Sequence, residues 1–162
     1  MTPAERQECI SRLRSLPANL ERLVISLSDT ELKTRYMATE WSVQQIVHHL
    51  VDSHMNSVIR LKLILSEDRP PLKGYDQDAW ADQADVAMTP ISASLAILHG
   101  LHERWGNLFE SLTDEQYQRV GVHSEIGDVS VDDLLDSYAD HGEIHIDQIK
   151  RVLAAGGIQV ED

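Results

Sequence analysis

This sequence has little of several features that would assign it to a particular class of protein. Its 162 residues include one cysteine, Cys9, so the chain cannot form an internal disulfide. No apolar run approaches the roughly 18 residues that a membrane-spanning helix needs, and Met1–Arg6 lacks the apolar core of a signal peptide. These absences predict a cytoplasmic protein that has no membrane as a partner.

Basic and aromatic side chains are also scarce. Lys and Arg number 14 against 27 Asp and Glu, which gives a formal net charge of −13. Such a charge repels phosphate backbones, so we expect no nucleic acid partner. Aromatic residues make up 5% of the chain and hydrophobic residues 42%, so the core must consist mainly of Leu, Ile and Val. The length predicts a single domain over residues 1–162.

Four segments place apolar residues at helical spacing. The first begins at Pro3 and is expected to be interrupted at Pro17, after which a second apolar stripe continues. Another begins with the capping-box pattern at Ser42 and runs to Ser66. The third begins at Thr89-Pro90, with threonine as the cap and proline at the first helical position. The last runs from near Ser130 to Gly156-Gly157.

The connections between these segments differ in character. Capping-box patterns at Ser28 and Thr113 predict short additional helices. Glu67 to Ala87 is expected to be a long irregular connection, and Gly121 to Gly127 a loop or a small hairpin. No strong strand is indicated elsewhere. The predicted fold is therefore all-α, a four-helix bundle with short additional helices.

The clearest chemical signal is the pair His141 and His145, four residues apart on the apolar face of the last helix. Side chains at this spacing lie one above the other, so both rings can reach one cation. Two buried hydrogen-bonded core histidines are the alternative. A third ligand from another helix would complete the site, but His48 and His49 are adjacent and point about 100° apart, so periodicity does not choose between them.

The remaining histidines have simpler interpretations. The unused member of the His48 and His49 pair, together with His54, His99 and His123, is expected at the surface. His102 lies on an apolar face and is expected to be a core residue. Glu143 falls on the opposite side of its helix from the histidine pair, so the spacing does not match the zinc-protease motif His-Glu-x-x-His.

The sequence resembles the DinB/YfiT-like superfamily, and in particular its YfiT-type branch. Four stretches carry the resemblance, in the same order along nearly the whole chain: Trp41–Ser57, Arg60–Lys62, Tyr75 and Asp76 with Trp80, and His141–Ile146. The resemblance implies a four-helix bundle, usually a homodimer, that holds one divalent metal ion, zinc or nickel. Its motif histidine, followed by two residues and Asp-Ser, is His49 here. The implied ligands are therefore His49, His141 and His145.

The resemblance also implies an activity on a small-molecule substrate. The first expectation is a thiol S-transferase that uses a low-molecular-weight thiol such as bacillithiol; the alternatives are a metal-dependent hydrolase that activates water and a non-catalytic metal-binding stress-response module. Asn56, Arg60 and Tyr75 are candidates for binding the thiol or substrate. Asp52 is a candidate for orienting a ligand histidine, with a helix-face salt bridge as its alternative. The sequence assigns no catalytic residue.

Overall fold

A computed structural model describes residues 1–159. The elements follow along the chain in this order: α1 (Pro3–Val24), α2 (Asp29–Lys33), α3 (Val43–Ser66), β1 (Pro71–Leu72), α4 (Gln77–Ala81), α5 (Ala84–Met88), α6 (Ile91–Glu110), α7 (Asp114–Tyr117), β2 (Val120–His123), β3 (Gly127–Ser130) and α8 (Val131–Ala155). The long helices α1, α3, α6 and α8 pack together, and α1 and α3 each contact both α6 and α8. The predicted four-helix bundle with short additional helices is confirmed.

The expected interruption at Pro17 is wrong, because α1 continues through it to Val24. A proline inside a helix has no N–H to donate to the carbonyl four residues before it, which here is that of Leu13. A side chain takes the vacated place: Nδ1 of His102 on α6 lies 2.6 Å from the Leu13 oxygen. The tertiary contact thus replaces the partner that Pro17 cannot supply.

The start of α6 is displaced by one residue from its predicted position. Pro90 is the N-cap, with an extended backbone (φ −62, ψ 145), and Ile91 is the first helical residue. Thr89 does not cap the helix, and its carbonyl instead accepts from the side-chain amide of Gln44 at 3.1 Å and lies 3.1 Å from Nε2 of His48. Contacts to α3 therefore fix where α6 begins.

The segment expected to be irregular contains the short helices α4 and α5 and the strand β1. Asp76 caps α4 by accepting from the backbone N–H of Ala79 at 3.0 Å. Strand β1 pairs in parallel with β2, and β2 forms the hairpin with β3, giving a sheet of order β1-β2-β3. The hairpin alternative was therefore right, and Gly127, the first residue of β3, leaves the turn with a φ of 79°. Strand β1 was missed.

Two apolar clusters fill the bundle. The buried residues of one are all aliphatic and include Val43, Leu50 and Ile149, and the other adds buried aromatic rings such as Trp105 and Phe109. On α8 the aromatic cluster ends at Ala139 and the aliphatic one begins at Ile149, with His141 and His145 between them. On α6 the interval from Leu98 to Trp105 contains His102 in the same way. A layer of histidines therefore separates the two clusters.

The described part of the chain contains no single helix that is long and apolar enough to cross a membrane. The bent pair Gln77–Met88 and Ile91–Glu110 passes that test together, with an angle of 116° between its parts. Helix α6 in this pair packs against α1 and α3 within the bundle. The single-domain prediction covers residues 1–162, and residues 160–162 lie outside the described residues.

Candidate metal centre

The structure brings together His49 of α3 with His141 and His145 of α8. The Nε2 atom of His141 lies 3.4 Å from Nε2 of His49 and 3.2 Å from Nε2 of His145. One ring nitrogen from each of the three lies within 4.8 Å of the others, a spacing that a shared metal ion can bridge. His48, the neighbour of His49, is turned away from this group toward α6.

Burial keeps these imidazoles uncharged. Burial, together with the smaller effect of the neighbouring His145, lowers the pKa of His49 to about 4 and that of His141 to about 3. Burial also lowers the pKa of His145, against the opposing effect of a hydrogen bond with Gln148. All three rings are therefore neutral near pH 7, which is the form that binds a metal ion.

The outer nitrogen of His145 has a side-chain partner on its own helix. Its Nδ1 lies 2.6 Å from Oε1 of Gln148, and Nε2 of the same amide donates to the carboxylate of Glu40 at 2.5 Å. A carboxylate can only accept here, so the amide oxygen faces His145 and accepts its Nδ1–H. The Nε2 atom of His145 is then left with an unprotonated lone pair aimed at the other two histidines.

The outer nitrogen of His141 has another histidine as its partner. Its Nδ1 lies 3.0 Å from Nε2 of His54, which is 0% exposed. The expected surface position of His54 is therefore wrong, because α3 turns this side chain into the bundle. His48, expected at the surface if unused, is also buried, and its Nδ1 lies 2.7 Å from Oγ of Ser94.

The other histidine expectations have mixed outcomes. His99 is exposed, with Nε2 2.9 Å from a carboxylate oxygen of Glu21, and His102 is a core residue, as predicted. His123 was expected at the surface but is half-buried on the wall of a cavity. Glu143 is exposed on the far side of α8 and forms a salt bridge with Arg12, so it plays no part in the site.

Trp41 covers one side of the three histidines. Its ring centroid is 4.7 Å from that of His49, and its ring lies nearly parallel to that of His145 at 6.4 Å. The indole Nε1–H donates to Asp78 of α4 at 3.1 Å. Sequence reasoning did not assign Trp41 a role, although its position immediately before the α3 cap at Ser42 placed it about two turns before His49.

A cavity of about 540 Å³ has His141 on its wall. Its walls include the candidates Arg60 and Tyr75, together with the previously unassigned Ser53 and Tyr138. One guanidinium nitrogen of Arg60 donates to the Tyr138 hydroxyl at 3.3 Å and the other to the carbonyl of Lys73 at 2.7 Å. The cavity has the size of a small-molecule site.

Comparisons with known proteins identify the family of this chain. The family model that matches residues 12–149 is that of the DinB superfamily. The chain belongs to the DinB superfamily. Among relatives, YfiT of Bacillus subtilis is 39% identical over 146 residues, which cover 90% of this chain and 82% of YfiT. A relative from Geobacillus kaustophilus is 40% identical over 146 residues, again 90% of this chain and 82% of its own. Both are named as candidate metal-dependent hydrolases.

The solved structure of Bacillus subtilis YfiT has the same architecture as this DinB-superfamily chain. It matches with a TM-score of 0.94 and 36% identity, covering 98% of this chain and 91% of YfiT. That protein is described as a probable metal-dependent hydrolase with an unusual four-helix bundle topology. The comparisons therefore support a metal-dependent enzyme in broad terms.

The remaining candidates of this DinB-superfamily protein lie at different distances from the cavity. Tyr75 packs against Trp80 with ring centroids 4.4 Å apart, and burial raises the pKa of its hydroxyl. Asn56 is not on the cavity wall, and its amide donates to the Asp52 carbonyl at 2.9 Å. Asp52 is half-buried, which raises the pKa of its carboxyl. The outer nitrogens of His141 and His145 contact His54 and Gln148 and not Asp52. A ligand-orienting role for Asp52 stays a prediction.

Proposed function

We propose that this protein is a divalent-metal-dependent thiol S-transferase, which joins a low-molecular-weight thiol such as bacillithiol to a small electrophile. The observation that carries the proposal is the convergence of three neutral imidazole nitrogens beside a cavity that contains Arg60. Imidazole nitrogens suit zinc and nickel, whereas magnesium and calcium prefer oxygen ligands. We therefore propose His49, His141 and His145 as the ligands of one zinc or nickel ion.

The proposed ligand set leaves the charge of the ion uncompensated. All three ligands are neutral, and the groups that contact the outer nitrogens of His141 and His145, which are His54 and Gln148, are neutral as well. A bound divalent ion would supply Lewis acidity at a coordination position that the protein does not fill. The chain's own contribution is to hold the three nitrogens in place and, through Trp41, to cover one approach to them.

The distribution of charge in the cavity favours a thiol with polar end groups. Arg60 lies on one wall and can pair with a carboxylate of the ligand. Asp133 also lines this cavity. It precedes His141 by eight residues of α8, which corresponds to a rise of about 12 Å along the helix. Asp133 thus lies about two turns of α8 away from His141, where its carboxylate can contact the far end of the ligand.

The hydrolase alternative is favoured by the names of the relatives. A discriminating experiment offers the zinc- or nickel-loaded protein bacillithiol, mycothiol, glutathione or cysteine with one haloaromatic electrophile, and separately a panel of esters and amides without thiol. We expect thiol conjugation that is abolished by a chelator. Thiol-independent hydrolysis without conjugation would favour the hydrolase, and metal binding without any turnover would favour the non-catalytic module.

We also propose a homodimer, which rests on the family resemblance. The net charge of −13 opposes self-association, so an interface would need apolar contacts that outweigh this repulsion. Light scattering at micromolar concentration should give twice the chain mass of 18.3 kDa. A mass equal to one chain would contradict the proposal.

A further inference from the structure

Three imidazoles form a continuous line from the proposed metal site into the core. Nδ1 of His141 lies 3.0 Å from Nε2 of His54, and Nδ1 of His54 lies 2.8 Å from Nε2 of His102. The line ends where Nδ1 of His102 lies 2.6 Å from the backbone oxygen of Leu13. Each ring therefore uses both of its nitrogens, and the line joins α8, α3, α6 and α1.

The carbonyl at the inner end gives the line one direction. Because the Leu13 oxygen can only accept, Nδ1 of His102 carries a proton, and in a neutral ring its Nε2 is then an acceptor. Nε2 of His102 thus accepts from Nδ1–H of His54, whose own Nε2 accepts from Nδ1–H of His141. The same logic leaves Nε2 of His141 unprotonated, which is the state that a metal ligand needs.

The acceptor at the inner end exists because of the proline in α1. With an ordinary residue at position 17, the Leu13 oxygen would accept a helical N–H. Pro17 has no N–H, and a proline ring in a helix crowds the carbonyl four residues earlier, which here is that of Leu13. An oxygen that needs a partner is therefore presented to α6 at the height of His102. The proline that sequence reasoning took for a helix break thus serves the site.

Packing holds these rings in place and keeps them uncharged. His54 is 0% exposed and His102 is 1% exposed. Trp105 meets both rings edge-on, with centroids 5.5 Å from His54 and 5.6 Å from His102, and Tyr138 meets His54 edge-on at 5.3 Å. No carboxylate is among the hydrogen-bond partners of either ring in the described chain. A charged imidazole there would be buried without an opposite charge.

We infer that His54 and His102 are positioning residues for the metal centre: together with the Leu13 carbonyl they fix the tautomer and orientation of His141. Neither ring reaches the ion. The inference rests on the metal assignment of the proposed function, but it does not depend on whether the reaction is thiol transfer or hydrolysis. Partners of this kind change metal affinity by about 10- to 100-fold when they are removed.

The first test needs no variant. Imidazole ¹⁵N spectra of the metal-free wild-type protein near pH 7 should show His141, His54 and His102 all neutral and all protonated at Nδ1. This result would establish the direction of the line, and the zinc affinities below test its effect on the metal site. Protonation at Nε2 in either His54 or His102 would overturn the inference.

The second test measures zinc affinity by competition with a chelator. His54→Phe keeps a ring of similar size but removes both hydrogen bonds, and it should weaken zinc binding 10- to 100-fold. His54→Gln keeps an acceptor for His141 and should recover part of that loss. His102→Phe, which is one hydrogen bond farther from the ion along the line, should weaken zinc binding less than His54→Phe does.

His48→Phe is the matched control. His48 is a buried histidine on the same helix, and its ring is directed to Ser94 and Thr89 and not to the rings of the three proposed ligands. The control should bind zinc as the wild type does. If His54→Phe and His48→Phe bind zinc within twofold of each other, the inference is wrong. Absence of zinc binding by the wild type would instead refute the proposed function, and the ¹⁵N test would still decide the tautomers.

Discussion

The two proposed ligand histidines of α8 have outer nitrogens in very different surroundings. From His141 the contacts run inward through two fully buried imidazoles to a backbone carbonyl. From His145 they run outward through one amide to Glu40, whose side chain is 23% exposed and also lies 3.6 Å from Arg151. We refer to these as the inner arm (His54, His102 and the Leu13 carbonyl) and the outer arm (Gln148 and Glu40).

The two arms reach the same result by different means. Each ends on a group that can only accept a hydrogen bond, so each leaves Nε2 of its ligand unprotonated. The two resulting lone pairs, on His141 and His145, face each other at 3.2 Å, an arrangement that a shared cation stabilises. The inner arm is closed to water, whereas water can replace groups of the outer arm. We therefore expect the ligands to differ in their sensitivity to mutation and pH.

The largest expected effect comes from removing the ligand at the head of the inner arm. His141→Ala should abolish stoichiometric zinc or nickel, because two imidazoles remain and His54 loses its partner. Elemental analysis after desalting measures the bound metal. His48→Ala, at a buried histidine outside the site, should retain a full equivalent. Full occupancy in the His141→Ala protein would show that the ligand set is wrong.

The difference between the arms can be measured directly by replacing, in each arm, the residue that contacts the proposed ligand. Gln148→Ala should weaken zinc binding by less than about tenfold, since water can accept the Nδ1–H of His145 at this half-buried position. His54→Phe should weaken binding more. Chelator competition on both variants gives the ratio. A larger loss for Gln148→Ala would reverse the assignment of the inner arm as the stronger constraint.

The inner arm should also make the metal-free protein sensitive to mild acid. Burial lowers the pKa of His102 to about 4, against an opposing hydrogen bond to Leu13, and lowers that of His54 far below its usual value. The unfolded chain takes up these protons near pH 6.5 while the folded chain does not, so stability is full above pH 6.5 and falls as the pH drops toward about 4.

Denaturant titrations at several pH values test this expectation. Between pH 6.5 and 5, the free energy of unfolding of the wild type should fall more steeply with decreasing pH than that of His102→Phe. The difference in slope should correspond to the uptake of about one more proton on unfolding. His99→Gln, at an exposed histidine, should keep the wild-type slope. Equal slopes for the wild type and His102→Phe would contradict the assignment of a neutral, buried His102.

The smallest expected effect lies outside both arms. Arg60 contacts Tyr138 and the Lys73 carbonyl on the cavity wall, but none of the three ligands. Arg60→Met should leave zinc affinity unchanged and raise the KM for the thiol about tenfold, the equivalent of about 1.4 kcal/mol, with little change in kcat. Steady-state kinetics with varied thiol measures this. An unchanged KM would remove Arg60 from the proposed binding site.

Periodicity was sufficient to predict α3, α6, α8 and the histidine pair, but not the continuity of α1 through Pro17. Capping boxes at Ser42 and Ser130 mark the starts of α3 and α8 because the side chains satisfy local backbone groups. The pair His141 and His145 was visible because helical spacing alone places both rings on one face. His49 could be selected over His48 by the family motif but not by spacing, since the deciding contacts of His48 with Thr89 and Ser94 are tertiary.

What the sequence did not show depends on contacts between distant segments. The role of Pro17 depends on His102, which is 85 positions later in the chain and meets Leu13 only in the assembled bundle. Strand β1 has two residues, too few for any alternation pattern, and exists only because β2 lies beside it. His54 was expected at the surface because its position in the helix does not indicate that His102 and His141, distant in the sequence, contact its ring.

The most direct test of the central claim is X-ray absorption spectroscopy of the zinc-loaded wild-type protein, combined with its metal stoichiometry. Three neutral imidazoles at one site predict one zinc ion per chain, with nitrogen neighbours at about 2.0–2.1 Å and the multiple-scattering pattern of three histidine rings. Addition of a low-molecular-weight thiol should then bring one sulfur to about 2.3 Å. No bound zinc, or zinc surrounded mainly by carboxylate oxygen, would contradict the assignment of His49, His141 and His145 as its ligands.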